Sequence, residues 1–427
     1  MSIENPAHPS FAALTAVSLK IGALGFGGPA GQIALMHREF VERRGWIDEK
    51  SYLSALGFCT LLPGPEAQQL ATWAGWKLHG VKGGVIAGGL FVLPGALILF
   101  ALAWAYAVFG QTPLMAAAFL GVKAAVLALV VEALLRVCKR ALKTRAHLVI
   151  AALGFLALYL AGAPYPLVIL AAAVFGWITA AVPTQPPVAM EPPRGAFRAA
   201  LVWGAVWLTP LVAAIALLGP GHVVSKVGIL FAQLSVVTFG GAYAMLAYLQ
   251  QQAVDVQGWL TAGQMIDGFG LAETTPGPLV LVNQFVGFLA GWQAPGGGLA
   301  LAAGCALMAS WQTFAPSFVW IFAGAPHAER LRASPKAQGV LGAITAVVLG
   351  VIASLALWFG QHVLFAREIT LARPWGGSLA LPDLTSLQLV PAVIAIAAGV
   401  ALLRFHLNVL LLIGLCLLAG IAAYLLG

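Results

Sequence analysis

Residues 26 to 65 and 239 to 278 carry the same landmarks in one register. Phe26-Gly27-Gly28 returns as Phe239-Gly240-Gly241, Gly45-Trp46 as Gly258-Trp259, and Pro63-Gly64-Pro65 as Pro276-Gly277-Pro278, each 213 positions on (26 to 239, 45 to 258, 63 to 276). One unit is therefore written twice, and each copy places Gly and Pro inside apolar segments, where a helix must bend or stop. A duplicated unit with interrupted hydrophobic segments is the pattern of secondary transporters built from two repeats, whose substrates sit at the interruptions.

The rest of the chain fits only a bilayer. Of 427 residues, 61% are apolar and 8% charged, too few polar groups to clothe a water-soluble globule. Apolar runs of about 20 residues, long enough to cross roughly 30 Å of hydrocarbon as helices, recur nearly end to end. Thirteen such segments can be drawn, among them 11–35, 53–77, 227–250 and 263–290. The short polar N-terminus lacks the pattern of a cleaved leader. The four cysteines stand singly and read as packing residues, without metal-ligand spacing. No His pair at helical spacing, nucleophile elbow, dinucleotide fingerprint or phosphate-cradling loop is found, so the sequence predicts neither an enzyme nor an ATP-driven pump, and no cofactor or metal. The net charge of +8 comes from Lys and Arg in short loops between segments, a topology signal that gives no reason to expect a nucleic-acid partner.

Arg136, Lys139, Arg140, Lys143 and Arg145 mark one cytoplasmic loop, and Arg194 and Arg198 mark the Pro-rich stretch 183–198 as a cytoplasmic linker. The expected organisation is a first repeat over 1–182, the linker, an extra crossing with a short loop over 199–226, and a second repeat over 227–427. The extra crossing would insert the second repeat upside down. Charge agrees, because loop 36–52 carries Arg38, Arg43, Arg44 and Lys50 while its repeat-mate 249–265 carries no Lys or Arg. If 11–35 and 53–77 each crossed fully, the basic loop between them would face the disfavoured side; the sequence therefore favours four re-entrant hairpins and nine crossings over thirteen crossings. The predicted fold class is an all-α polytopic membrane protein, with inverted-topology repeats and broken or re-entrant helices at the membrane midplane.

At the breaks, Pro65 and Pro278 suit the first turn of a following half-helix, and Gly64 and Gly277 allow a tight turn. Such a half-helix end presents unpaired N–H groups and about half a positive charge, a setting for an anion. Phe26, Gly27 and Gly28, with Gly240 and Gly241, would wall the site, and Pro63, Gly64, Pro65, Pro276, Gly277 and Pro278 would form its turns. Gln32, Gln68, Gln69, Thr238, Thr274, Thr275 and Asn283 are candidate substrate ligands. Glu66 and Glu273, carboxylates at membrane depth, are candidates for coupling or for capping half-helices. Lys20 and Lys123 are candidates for the anion path, with snorkelling or structural pairing as the other reading.

The Phe26-Gly27-Gly28-Pro29 block, the run from Leu61 through Pro63-Gly64-Pro65-Glu66 to Gln69, and Thr274-Thr275-Pro276-Gly277-Pro278 together resemble the chromate ion transporter family in its two-domain form. The resemblance covers the whole chain. It implies a multi-pass bacterial inner-membrane transporter that exports chromate and confers resistance, with sulfate as a close analogue. By alternating access, a proton carried inward on Glu66 or Glu273 would exchange for the outgoing dianion. Ala242 stands at the second copy's equivalent of Pro29, and Leu279 at that of Glu66, so the two copies need not share roles. A carrier for sulfate, molybdate or another oxyanion, or an anion channel of the same architecture, fits the residues too, and a second copy of the chain is a candidate partner.

Overall fold

The computed structural model describes residues 9–142, 144–180, 195–325 and 334–426; most of the 183–198 linker lies outside them. The chain is almost wholly helical. Among the described residues, five helices are long and apolar enough to cross a membrane: α4 (Glu66–Phe109), α5 (Pro113–Ala141), α8 (Ala196–Leu218), α15 (Pro335–Leu364) and α17 (Val409–Leu426). With 61% apolar composition, this makes the chain a multi-pass membrane protein, as the sequence predicts.

Every interruption read from the sequence is a real break. Segment 11–35 divides into α1 (Phe11–Leu24) and α2 (Gly28–His37), and segment 53–77 lies across α3 (Glu49–Cys59) and the first arm of α4. Segment 227–250 divides into α9 (Val223–Val237) and α10 (Ala242–Gln250), and 263–290 into α11 (Ala262–Thr274) and α12 (Val282–Trp292). The duplication extends to backbone dihedrals. Gly27 and Gly240 have φ of +85° and +81°, Gly45 and Gly258 +59° and +60°, and Gly64 and Gly277 +100° and +95°. After α2 and α10 the helices widen into π-turns, Arg38–Glu42 and Gln251–Val256, closed the same way: Trp46 N–H donates to Phe40 O at 2.9 Å, Trp259 N–H to Ala253 O at 2.8 Å.

Two compact units emerge, each drawing on both halves of the sequence: Met1–Trp104 with Pro183–Ala242 and Thr275–Ser334, and Ala105–Val182 with Tyr243–Thr274 and Pro335–Gly427. In the first, α12, α13 (Leu299–Phe314) and α9 pack together, and α14 (Pro316–Gly324) lies on α8. Here α3 and the first arm of α4 double back on each other. The Lys77 ammonium donates to Ser51 Oγ at 2.7 Å and lies 3.6 Å from Asp48 Oδ2, so the end of the returning arm meets the start of α3, with Pro63-Gly64-Pro65 at the far tip. Phe11 at the start of α1 packs edge-on to His79, and Tyr52 donates to Ile33 O, placing the ends of both hairpins at one end of the unit. At His79 and Gly80 α4 turns sharply into its long second arm, so closely that an added Cβ on Gly75 would lie 2.2 Å from Gly83 O.

In the second unit, α15 packs on α5, α6 (Arg145–Tyr159) and α7 (Tyr165–Thr179), while α16 (Leu389–Phe405) and α17 flank α5. Small residues allow these close crossings, since lipid supplies no hydrophobic drive between helices. A feature the apolar pattern does not announce is the hairpin of β1 (Glu368–Ala372) and β2 (Ser378–Pro382) between α15 and α16. Its tip caps the end of α6, with Arg373 donating to Tyr159 O and Trp375 to Ala161 O.

Candidate functional site

In the first unit the breaks are bonded crosswise. Gly64 N–H donates to Thr238 O at 3.0 Å, and Gly277 N–H to Gly25 O at 2.9 Å. Under the repeat, 64 corresponds to 277 and 25 to 238, so the two bonds are the same bond with the copies exchanged. Each proline-flanked turn of one copy is completed by the Gly-Gly break of the other. The left-handed conformation of Gly64 and Gly277 is what aims each N–H across, and it disfavours any residue with a Cβ.

The polar side chains singled out by sequence gather at these turns. Gln32, wholly buried, donates its amide to both Gly25 O and Gly277 O. Gln69 donates to Pro63 O at 2.7 Å, Gln68 to Phe314 O at 3.3 Å, and Asn283 to Thr313 Oγ1 at 2.9 Å. Thr238 Oγ1 donates to Leu234 O on its own helix. In this conformation the amides of Gln32 and Gln69 therefore stabilise carbonyls that the breaks free, while the carbonyl oxygens of Gln32, Gln68 and Gln69 are buried without donors. Buried polar groups without partners are costly, and their clustering marks these turns as more than kinks. No side chain caps the N-terminus of α2 behind Gly27, which leaves its N–H groups available to an anion. Phe26, Gly28, Pro63, Gly64 and Glu66 are half-buried and Gly27, Gly240 exposed, whereas Pro276, Gly277 and Pro278 are buried; one turn is open where its counterpart is closed.

Lys20 lies in a different setting from the breaks. Its ammonium is 2.9 Å from Glu39 Oε1, and Arg43 Nη1 is 3.0 Å from the same oxygen, while Arg44 bonds Oε2 and the backbone carbonyl. Burial alone would raise the Glu39 carboxyl, but hydrogen bonds from Lys20, Arg44 and Arg43 outweigh it and hold it at about 2. Three cations around one 1%-exposed carboxylate leave the cluster with net positive charge.

In the second unit, Glu273 is buried and accepts from Tyr243 OH at 3.1 Å; Thr274 Oγ1 donates to Leu271 O. Lys123 does not pair with Glu132, which is taken by Arg136 one turn on; its partner is Asp267 on α11, at 3.5 Å. Asp267, Glu39 and Tyr243 are not among the sequence candidates. Asp267 carries the signal that exposes Glu66 and Glu273, a carboxylate within an apolar segment; Glu39 is hidden in a basic loop.

Residues 12–177 and 225–421 match the sequence profile described as Chromate transporter, covering both copies and most of the chain. The chain belongs to the chromate transporter family. Its relatives within that family include a "Chromate transport protein" of Pseudomonas aeruginosa, 32% identical over 98% of this chain and 93% of that one. A "Probable chromate transport protein" of Synechococcus elongatus is 30% identical over 92% of this chain and 95% of its own length. A "Chromate transport protein" of Cupriavidus metallidurans is 31% identical over 78% of this chain and 79% of the relative. No solved structure matches the chain. For this member of the chromate transporter family, the first-unit breaks are thus the place where sequence motif and backbone geometry coincide.

Proposed function

We propose that the chain exports chromate, a tetrahedral oxyanion, across a bacterial inner membrane by alternating access, with protons moving inward in exchange. The observation that carries this reading is the crosswise pair of bonds, Gly64 to Thr238 and Gly277 to Gly25. Two interrupted segments from each copy are tied at their tips, and half-helix N-termini there supply donors without fixed positive side chains. Such a seat can hold a dianion and still release it. The relatives named chromate transport proteins support the choice of substrate.

The copies would be inverted, as the basic loop 36–52 and its Lys- and Arg-free mate 249–265 suggest, with the linker 183–198 cytoplasmic. A dianion arriving from the cytoplasm would meet the positive Glu39 cluster, then exchange its water for half-helix N–H groups. Gln68, Gln69, Thr238, Thr275 and Asn283 would turn from their present partners to complete its shell. Glu66 or Glu273 would carry the returning proton, since a carboxylate at membrane depth repels a dianion until protonated. The outward step is helped by the membrane potential, worth about 2.3 kcal/mol per charge per 100 mV.

Radiolabelled chromate uptake into inside-out vesicles tests the proposal. Gradient-dependent uptake inhibited by sulfate, and lost in a correctly inserted Pro63→Ala, Pro276→Ala variant, is the expected result. No uptake by inserted wild type would defeat the substrate assignment, and unsaturable current in its place would indicate a channel.

A further inference from the structure

Helix α11 carries two buried carboxylates, each receiving a tyrosine hydroxyl, and among the described residues Asp267 is the one with a cation within ion-pair distance. Asp267 Oδ2 accepts from Tyr106 OH at 2.8 Å and lies 3.5 Å from Lys123 Nζ, with its side chain 7% exposed. Its other oxygen, Oδ1, is buried with no donor. Lys123 has no acceptor besides Asp267 among the described residues, and its side chain is 28% exposed, enough to be reached. Room for the ammonium comes from Gly263, where an added Cβ would lie 3.2 Å from Nζ.

A buried pair that serves only architecture needs short contacts and all remaining donors and acceptors satisfied, because desolvation otherwise outweighs attraction. This pair has neither: the contact is long, one carboxylate oxygen is unmatched, and two ammonium protons lack partners. That is the arrangement of a cation whose counterion is exchangeable. Resting on the transport reading above, we infer that Lys123 is an oxyanion-binding ammonium whose resting counterion is Asp267, so that Asp267 competes with the transported dianion and sets its affinity.

The exchange balances simply. A proton from water adds to the Asp267 carboxylate, the ammonium keeps its own protons, and the freed positive charge takes one oxygen of the dianion; loss of the proton restores the pair. The groups facing Asp267 are few. Lys123 comes from α5 and Tyr106 from the end of α4. Further along α5, Glu132 and Arg136 bind each other. Glu273 lies six residues on along α11 itself. Of the other helices on α11, α17 has no charged residue, and on α15 His362 pairs with Glu368 while Lys336 lies over Trp177.

The test is the KM for chromate in proteoliposomes holding the full chain, from pH 6 to 8.5, with insertion checked for each variant. Wild-type KM rises with pH as the competitor ionises. Asp267→Asn lowers KM severalfold at the alkaline end and flattens its pH profile relative to wild type, a ratio in which the speciation of chromate cancels. Lys123→Gln raises KM tenfold or more, Gly263→Ala raises it less, and the Lys123→Gln, Asp267→Asn double variant stays as high as Lys123→Gln. An Asp267→Asn chain with wild-type KM and pH profile overturns the assignment, as does a double variant restored to wild-type KM, the mark of a structural pair. The double variant buries no lone charge, so it decides the matter even if a single variant fails to fold. Absence of oxyanion transport by inserted wild type would remove the transport reading and this assignment together, an outcome distinct from either.

Discussion

The π-turn after α2 and the π-turn after α10 share a backbone and almost nothing else. Both follow a short half-helix, both end in a left-handed glycine followed by tryptophan, and both close with that tryptophan's N–H on the carbonyl six residues earlier. In the first, Lys20, Glu39, Arg43 and Arg44 build a charged knot. In the second copy the same positions hold Gln233, Gln252, Val256 and Gln257. There Gln251 accepts from Tyr165 N–H and donates to Ala163 O, and Gln250 donates to Asp255, so amides do by hydrogen bonding what charge does in the first. Backbone geometry has been kept through duplication while electrostatics has been reassigned, as expected of two loops that meet differently charged surroundings.

Glu39→Gln should break that comparison most severely. It removes the one buried charge of the knot and leaves three partly exposed cations that water can reach, a loss of about 1–3 kcal/mol. A fall in thermal stability in detergent is expected, whereas Gln252→Ala at the matched position should shift stability less, by about 1 kcal/mol. Equal effects would show that charge is incidental to the first loop.

Gly277→Ala and Gly64→Ala probe what the copies share. Each places a Cβ in a left-handed turn, a cost of about 1–2 kcal/mol, and misaims a crosswise bond. Transport should fall about tenfold in each. The effect should be larger at the buried Gly277, whose new Cβ would sit 3.3 Å from Leu281 Cδ1, than at half-buried Gly64.

Smaller effects separate the loops by pH. His37 bonds Glu49 and Glu42; its hydrogen bond to Glu49 raises it above its ordinary 6.5, against burial, with both acidic charges adding. A raised basic group stabilises below its ordinary value and loses that contribution as pH rises through the raised one. Melting temperature should therefore decline on the alkaline side, and His37→Gln should remove that decline. The Glu39 contribution runs the other way: present above its ordinary 4.5, it is lost as pH falls toward about 2. Arg43→Gln, an exposed partner of the knot, should cost least, about 0.2–1 kcal/mol, and only at low salt.

The breaks are legible in the sequence because Gly and Pro act locally: Gly64, Gly277 and the Gly-Gly pairs impose their turns whatever surrounds them. The crosswise bonds are not, since nothing local says that the carbonyl of Gly25 waits for residue 277. Lys123 illustrates the same limit. Its span is visible, yet its partner lies on another helix, 144 positions on (123 to 267), and a nearer carboxylate, Glu132, belongs to Arg136. The β1–β2 hairpin does carry a local signal, since Ile369 and Leu371 alternate with Glu368 and Thr370, and Leu379 and Leu381 with Ser378 and Ala380, across Gly376-Gly377. Its two short strands are hard to see among apolar runs of about 20 residues, and its role as a cap on α6 is purely tertiary.

The crosswise bonds also impose an order on biogenesis. Gly64 leaves the ribosome 174 residues before the carbonyl of Thr238 that completes its turn (64 to 238), a delay on the order of ten to thirty seconds at cellular elongation rates. Through that interval the nascent first copy holds an open, unpartnered turn in the translocon or the lipid beside it. The newly inserted half is thus vulnerable to quality-control proteases until its twin arrives, and slow codons between the copies should lower yield with no change to the finished protein.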